Sequence, residues 1–173
     1  MPNLVLRQLS SADHDRVSGF ITERWGANIV VAHGVIYKPS DFPGFIACHE
    51  GTENNWLGLI TYNIHADQCE IITIDSVSPT TGIGTALVEA VKQAAVEAGC
   101  KRLWLITTND NLDALRFYQK RGFVLVAVYR NAVTRSRELK PAIPESGAYS
   151  IPLRDEIELE MILTPLTETP PTM

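Results

Sequence analysis

The sequence has few cysteines and no long apolar run. Its three cysteines, Cys48, Cys69 and Cys100, lie far apart with no CxxC pair, which argues against a disulfide framework or a zinc ligand set. This favours a reducing compartment, so we expect a cytoplasmic protein. The longest apolar segment, 27–37, is interrupted by polar residues and a glycine, and the first residues lack the basic and apolar regions of a signal peptide. We therefore expect no membrane association.

Positive charge is also scarce. Fifteen Lys and Arg residues face twenty Asp and Glu residues, which gives a net charge of −5 and would repel a phosphate backbone. We therefore expect no nucleic-acid partner. The four histidines are scattered without the spacing of metal ligands, so no metal site is predicted.

The length of 173 residues and the 45% hydrophobic content fit one domain, which we expect over residues 1–163, followed by a disordered, proline-containing tail over 164–173.

The pattern of apolar residues predicts a mixed α/β fold. Short β-rich segments separated by short linkers in the first half favour an antiparallel meander, and strand, helix and strand alternate in the second half. Together they predict an α+β arrangement with a mixed sheet and helices on its faces. We predict strands over 4–9, 44–49, 56–65, 69–77, 103–107, 123–129 and 155–163, and helices over about 10–25, 83–98 and 110–121. Segment 26–43 is expected to be a loop with a short helix, and 130–150 to be irregular.

A glycine turn joins a predicted strand to the predicted helix over 83–98. The first N–H groups of a helix have no partner inside it, and glycine lets an anion approach them, so this turn is suited to a phosphate group. A tight turn with no ligand is the alternative. Leu87 stands where a dinucleotide-binding fingerprint needs a third glycine, and no Gly-Lys-Ser/Thr follows as in a phosphate-binding P-loop. The donors to a pyrophosphate would come from Gly82, Ile83, Gly84 and Thr85.

A second motif runs from Asn111 to Phe123 and contains Ala114, Tyr118 and a closing Gly-Phe pair. With the glycine turn, it resembles the GNAT N-acetyltransferase superfamily, whose acyl-CoA signature is Gln/Arg-x-x-Gly-x-Gly/Ala between a strand and a helix. Here that signature reads 79–84, with proline at its first position. The resemblance covers about residues 4–163 and is strongest over 72–129.

The resemblance implies a fold with a central mixed sheet of about six to seven strands flanked by helices. It also implies acetyl-CoA as the acyl donor, and an enzyme that transfers the acetyl group by direct attack of an amine on the thioester. The strand before the turn would pair with the pantetheine arm, and Asn111 would hydrogen-bond its amide. The residues expected to bind acetyl-CoA are Ser76, Val77, Thr81, Gly82, Ile83, Gly84, Thr85, Asn111, Ala114 and Tyr118.

Two residues are candidates for proton transfer. The resemblance implies that Tyr118 protonates the departing thiolate, for which a phenol is a suitable acid, although a tyrosine at this helical position could equally be a core residue. Glu70 occupies the position of a general base in members that resemble histone acetyltransferases, with a solvated strand residue as the alternative. Asp75 is a second candidate base, and in a regular strand it would lie on the opposite face from Glu70. A cysteine nucleophile is not favoured.

The acceptor pocket is expected in the segment between the first helix and the second predicted strand, with Trp25 and His33 as substrate-binding residues. The acceptor could be a small-molecule amine or a peptide amine. The basic residues Arg130, Arg135, Arg137 and Lys140 are expected to lie in a solvated loop, with contact to an anionic acceptor or to the ribose phosphate of CoA as the alternative. A binding or sensing module for acyl-CoA with weak or no catalysis is the alternative function, and a homodimer is a possible assembly.

Overall fold

The computed structural model describes residues 2–78 and 81–164 of the chain. Pro79 and the predicted tail from residue 165 onward lie outside the described residues. The strands are β1 (Leu4–Gln8), β2 (Val30–Ala32), β3 (Val35–Tyr37), β4 (Gly44–His49), β5 (Gly58–His65), β6 (Gln68–Ser76), β7 (Arg102–Thr108), β8 (Val124–Tyr129) and β9 (Glu156–Ile162). The helices are α1 (His14–Trp25), α2 (Ile83–Glu97), α3 (Leu112–Lys120) and α4 (Ala132–Leu139).

The main sheet contains seven strands in the order β1-β4-β5-β6-β7-β9-β8. Strands β6 and β7 are parallel, and every other neighbouring pair in this sheet is antiparallel. The parallel pair is joined through α2, as a crossover between parallel strands requires. The predicted mixed sheet flanked by helices is confirmed.

Helices cover both faces of the sheet. Helices α2 and α3 pack on one face over the larger apolar cluster, which includes Leu87, Val91, Leu103 and Phe123. On the other face, α1 buries Val17 and Ile21 over a smaller cluster. The β2–β3 hairpin contacts α4. Among the described residues, no helix is long and apolar enough to cross a membrane.

Two segments contain more regular structure than the sequence predicts. Segment 26–43 contains the expected short helix, a single 3₁₀ turn over Pro39–Asp41, but also the β2–β3 hairpin. The two-residue turn of this hairpin has positive φ at His33 and Gly34, 41° and 79°. Strands of three residues are too short to show an apolar period. The expected irregular segment 130–150 contains α4, which buries only three residues, so its helical pattern is weak in the sequence.

Strands β6 and β7 separate partway along their length. They pair only from Gln68 with Arg102 to Ile71 with Leu105, although β6 continues to Ser76 and β7 to Thr108. A β-bulge also interrupts β6 at Ile72, because Thr61 and Tyr62 on β5 are opposite Thr73 and Ile71. The separation leaves an opening in the middle of the sheet.

Candidate active site

A cleft of about 610 Å³ lies in this opening and continues between α2 and α3. The N–H of Val77 donates to Leu57 O at 2.8 Å, so this end of β6 pairs with the chain on the β5 side. Backbone groups alternate in direction along an antiparallel strand, so those of Ile74 and Ser76 face the opening. Ile74 and Ser76 line the cleft, whereas Val77 does not. The carbonyl of Ser76 accepts from Arg24 Nη2 at 3.2 Å, so an extended ligand could pair with β6 through Ile74 and the N–H of Ser76.

The glycine turn is the start of α2. Gly82 precedes the helix with a φ of 78°, a conformation that glycine adopts without strain. The first hydrogen bond of the helix runs from the N–H of Ala86 to Gly82 O at 3.1 Å, so the N–H groups of Ile83, Gly84 and Thr85 have no partner within the helix. The side chain of Ile83 is buried in the core. Thr81 donates its hydroxyl to Ser78 O at 2.8 Å.

Three basic residues of α3 and its C-terminal end also line the cleft, namely Arg116, Lys120 and Arg121. Arg121 donates from Nε to the hydroxyl oxygen of Thr85 at 3.0 Å, which ties the end of α3 to the start of α2. Sequence reasoning did not assign these residues to the site. The available signal was the four-residue spacing of Arg116 and Lys120, because residues four apart on a helix share a face. Asp75 and Asp113 also line the cleft, so positive side chains outnumber negative ones there by three to two, in a chain that is acidic as a whole.

Tyr118 lines the same cleft from the buried face of α3 and is only 4% exposed. Burial raises the pKa of its hydroxyl, so the group stays protonated at neutral pH. The ring makes edge contacts with Phe117 and Phe123, which fix its position. The Tyr118 ring is therefore part of the core, as one sequence interpretation expected, and the residue also lines the cleft.

Asn111 and Ala114 lie at the first turn of α3. The Asn111 side-chain oxygen accepts the N–H of Ala114 at 3.2 Å, which makes Asn111 the N-cap of this helix. Both residues line the cleft. Because the side-chain oxygen is used by the helix, only the Asn111 side-chain NH₂ group is left to contact a ligand.

A smaller cavity of about 210 Å³ lies between β6, β7 and the β2–β3 hairpin. It shares five lining residues with the cleft, so the two spaces meet where β6 and β7 separate. The shared residues are Trp25, Ile71, Ile72, Ile106 and Thr107. Tyr118 lines the cleft and Glu70 lines the smaller cavity, so the two candidates for proton transfer lie in connected spaces.

Glu70 is 6% exposed, so it is not a solvated strand residue. Its Oε1 lies 2.9 Å from His33 Nε2, and its Oε2 accepts the Tyr37 hydroxyl at 3.1 Å. Burial and the nearby Glu70 carboxylate raise the pKa of Tyr37, which keeps this hydroxyl protonated. The Tyr37 oxygen is also 2.9 Å from His33 Nε2, and since its proton goes to Glu70, His33 Nε2 must carry a hydrogen. His33 and Tyr37 therefore hold the carboxylate in one orientation.

The expectation that Asp75 lies on the opposite face from Glu70 is wrong. The bulge at Ile72 adds one residue to the strand, so the alternation of side chains resets and both carboxylates face α1. Asp75 is also fully engaged, because Arg24 Nε donates to it at 2.8 Å and Trp25 Nε1 at 2.5 Å. Asp75 thus anchors α1 and positions Trp25 at the junction of the two cavities.

The basic residues expected in a loop lie in and around α4. Arg137 donates to backbone carbonyls, including Ile143 O at 3.2 Å, and Lys140 Nζ donates to Ile29 O at 3.1 Å. These contacts hold the segment after α4 and the chain before β2 in place. Neither residue lines the cleft or the smaller cavity.

Comparisons with known proteins agree with this geometry. The family model described as "Acetyltransferase (GNAT) family" matches residues 27–123. The chain is 42% identical over 147 residues to the uncharacterized protein YdhI of Bacillus subtilis (strain 168), covering 85% of this chain and 91% of that protein. The structure resembles an IAA acetyltransferase from Bacillus cereus, with a TM-score of 0.70, 20% identity and coverage of 93% and 100%. A GNAT acetyltransferase from Elizabethkingia anophelis with acetyl-CoA bound gives a TM-score of 0.65, 20% identity and coverage of 93% and 99%.

Proposed function

The chain belongs to the GNAT acetyltransferase family, and from this premise we propose that it transfers an acetyl group from acetyl-CoA to a primary amine. One observation carries the proposal. A cleft with a buried tyrosine meets a smaller cavity with a buried carboxylate where β6 and β7 separate. A thioester at this junction would have an acid on one side and a base on the other.

The cleft fits the acyl donor. Coenzyme A carries a pyrophosphate, which would bind the N–H groups that open α2, and the positive charges of Lys120 and Arg121 would add to this attraction. The pantetheine arm would pair with the backbone of Ile74 and the N–H of Ser76, which β7 leaves unpaired. The Asn111 side chain would donate to an amide of the same arm from its NH₂ group. Acetyl-CoA bound in a related GNAT structure supports this choice of donor.

The reaction needs no covalent enzyme intermediate. Glu70 takes a proton from the ammonium form of the acceptor, and the freed nitrogen attacks the thioester carbonyl carbon. The carbon–sulfur bond then breaks, and the departing thiolate takes the proton of Tyr118. A second proton leaves the nitrogen for water as the amide forms. Glu70 releases its proton to water and Tyr118 regains one from water, so each turnover releases one proton in total. Trp25 lines the smaller cavity on the acceptor side, whereas His33 does not line that cavity and acts by holding Glu70.

The acceptor in this proposal is a small-molecule amine or an amine of a peptide. The chain would act in the cytoplasm, which agrees with three buried free cysteines, and would use neither nucleic acid nor a membrane as a partner. Assembly as a homodimer is part of the same proposal.

Calorimetric titration with acetyl-CoA and CoA tests the donor site. We expect micromolar binding that Gly82→Asp abolishes, because the new carboxylate would oppose the pyrophosphate. Gly82→Asn is the matched control for size and positive φ and should weaken binding less. Gly99→Asp places the same side chain at the other end of α2, where φ is 79°, and should leave binding intact. No binding at millimolar ligand would overturn the proposal.

Thiol release with a panel of amines separates the enzyme from the alternative of a binding module. An acetyltransferase releases CoA thiol only when a suitable amine is present. Tight binding of acetyl-CoA with no thiol release for any amine would favour a binding or sensing role.

A further inference from the structure

The smaller cavity, where the proposed function places the amine, is called the acceptor cavity below. It contains two buried carboxylates and, among the described residues that line it, no lysine or arginine. Glu70 is 6% exposed and Glu156 is 2% exposed, and both line the cavity. Its other walls are mainly apolar, with Trp25, Val30 and Ile106 among them. The cavity is therefore small, and its walls are mainly apolar apart from the two negatively charged carboxylates.

Glu156 has no positively charged partner among the residues that the structure describes. Its Oε2 accepts the backbone N–H of His33 at 2.9 Å, and its Oε1 is 3.5 Å from the Ser136 hydroxyl. Two neutral donors offset only part of the cost of burying a carboxylate. Glu156 thus keeps the capacity to bind a cation.

The neighbouring acidic residues differ from Glu156 in this respect. Asp155 pairs with Arg154 at 2.8 Å, whereas Glu158 and Glu160 both pair with Arg102. Glu156 is the most buried of these four acidic side chains and the one without an ion pair in the described structure. Its lack of a partner is therefore a local property of the cavity wall and not a general feature of β9.

We propose that Glu156 binds a second cationic group of the acceptor, so that the preferred substrate is a compact diamine with no carboxylate. This inference rests on the proposed function. One amino group lies near Glu70 and is acetylated, while the other ammonium group pairs with Glu156. The cavity volume of about 210 Å³ admits a slender chain, on the order of six to ten non-hydrogen atoms. An acceptor that ends in a carboxylate would meet like charge from both glutamates and would be rejected.

A matched series of straight-chain amines tests this inference. Diaminobutane, pentylamine and aminopentanoate share one amino group and differ at the far end, which is cationic, neutral or anionic. We expect kcat/KM for diaminobutane to exceed that for pentylamine about tenfold, and aminopentanoate to be the poorest substrate. Apolar walls alone would favour pentylamine, so equal or reversed preference would overturn the proposal.

Two variants that each remove one negative charge test whether Glu156 is the source of the preference. Glu156→Gln keeps the shape of the side chain and should bring the preference for diaminobutane over pentylamine close to one. Glu89→Gln removes one negative charge from the exposed side of α2, away from every cavity that Glu156 lines, and should keep the wild-type preference. If the two variants lose the preference equally, the general field of the protein and not Glu156 selects the amine.

Direct binding keeps the inference testable without turnover. Calorimetric titration of the free protein should show tighter binding of diaminobutane than of pentylamine, and Glu156→Gln should remove the difference. Equal binding of the two amines would overturn this inference and leave the acetyltransferase proposal standing. Absence of acetyl-CoA binding would instead overturn the acetyltransferase proposal.

Discussion

At the scale of single residues, Tyr118 combines a buried ring with a place in the cleft wall. Tyr118→Phe removes only the hydroxyl, so we expect kcat to fall about 100-fold while the affinity for acetyl-CoA stays within about twofold. Thiol release and calorimetry measure the two quantities. Tyr62→Phe is the matched control, because Tyr62 is equally buried but does not line the cleft. A kcat within about threefold of wild type would exclude Tyr118 as the acid.

The cysteines provide a second prediction at this scale. Cys69 is fully buried, and burial raises the pKa of its thiol to about 12, so almost no reactive thiolate exists at neutral pH. We expect a thiol reagent to label the native protein slowly and all three cysteines after denaturation. Fast labelling of native Cys69, with loss of activity, would contradict both its burial and a mechanism that uses no cysteine.

At the scale of secondary-structure elements, Asp13 joins β1 to the start of α1. Its carboxylate accepts from Arg7 at 2.8 and 2.9 Å and from the N–H of Ser10 at 2.8 Å. The Arg7 guanidinium holds the pKa of Asp13 well below its ordinary value. This contact bears on the candidate site, because α1 carries Trp25 to the place where the cleft and the smaller cavity meet.

We expect Asp13→Asn to lower the free energy of unfolding by about 1–3 kcal/mol at neutral pH, measured by urea denaturation. A carboxylate with a lowered folded-state pKa stabilises the protein above its unfolded pKa of about 3.9 and loses this contribution as the pH falls below that value. The difference between variant and wild type should therefore shrink below about pH 4. Asp15→Asn, at a fully exposed position on the same helix, should change stability little.

The bulge at Ile72 shows why predicting where β6 begins and ends did not predict the face on which Asp75 lies. Strand β6 is predicted correctly in position, but one added residue turns Asp75 to the same face as Glu70. A bulge depends on how β6 pairs with β5, and the sequence of β6 alone does not reveal that pairing.

At the scale of the whole molecule, β8 is an edge strand with apolar side chains on both faces. Val124, Leu125 and Val128 are 57%, 56% and 65% exposed, and the adjacent Ile162 on β9 is 70% exposed. Within the described residues β8 pairs only with β9, so its other backbone edge is open. An open apolar edge favours pairing with another strand, and a second copy of β8 can pair with it antiparallel about a twofold axis.

We therefore expect the chain to form a homodimer through β8, which sedimentation velocity at several concentrations measures. Val128→Lys should shift the protein towards the monomer, because a charge on the interface resists burial. Val5→Lys changes the same residue type on β1 at the opposite edge of the sheet and should leave the dimer intact. A monomeric wild-type protein at high concentration would contradict the prediction.

Local patterns determined much of the fold and half of the site. The glycine turn, the apolar period of α2 and the motif from Asn111 to Phe123 each depend on residues that are close in the chain, so the sequence alone predicted the two helices that line the cleft. The same patterns indicated the family and the mixed sheet. Short or weakly patterned elements, the β2–β3 hairpin and α4, escaped detection because their conformation depends on packing against distant residues.

The tertiary structure decided the part of the candidate site where we propose that the acceptor binds. His33 contacts Glu70 through its ring and Glu156 through its backbone, and 123 residues separate His33 from Glu156. Sequence spacing reports which side chains share a helix or strand face, but it does not report which distant strands the sheet brings together. The sequence shows that residues 70 and 156 are glutamates. Their burial, their neutral hydrogen-bond partners and their common cavity exist only in the folded chain, because the cavity forms where β6, β9 and the hairpin meet.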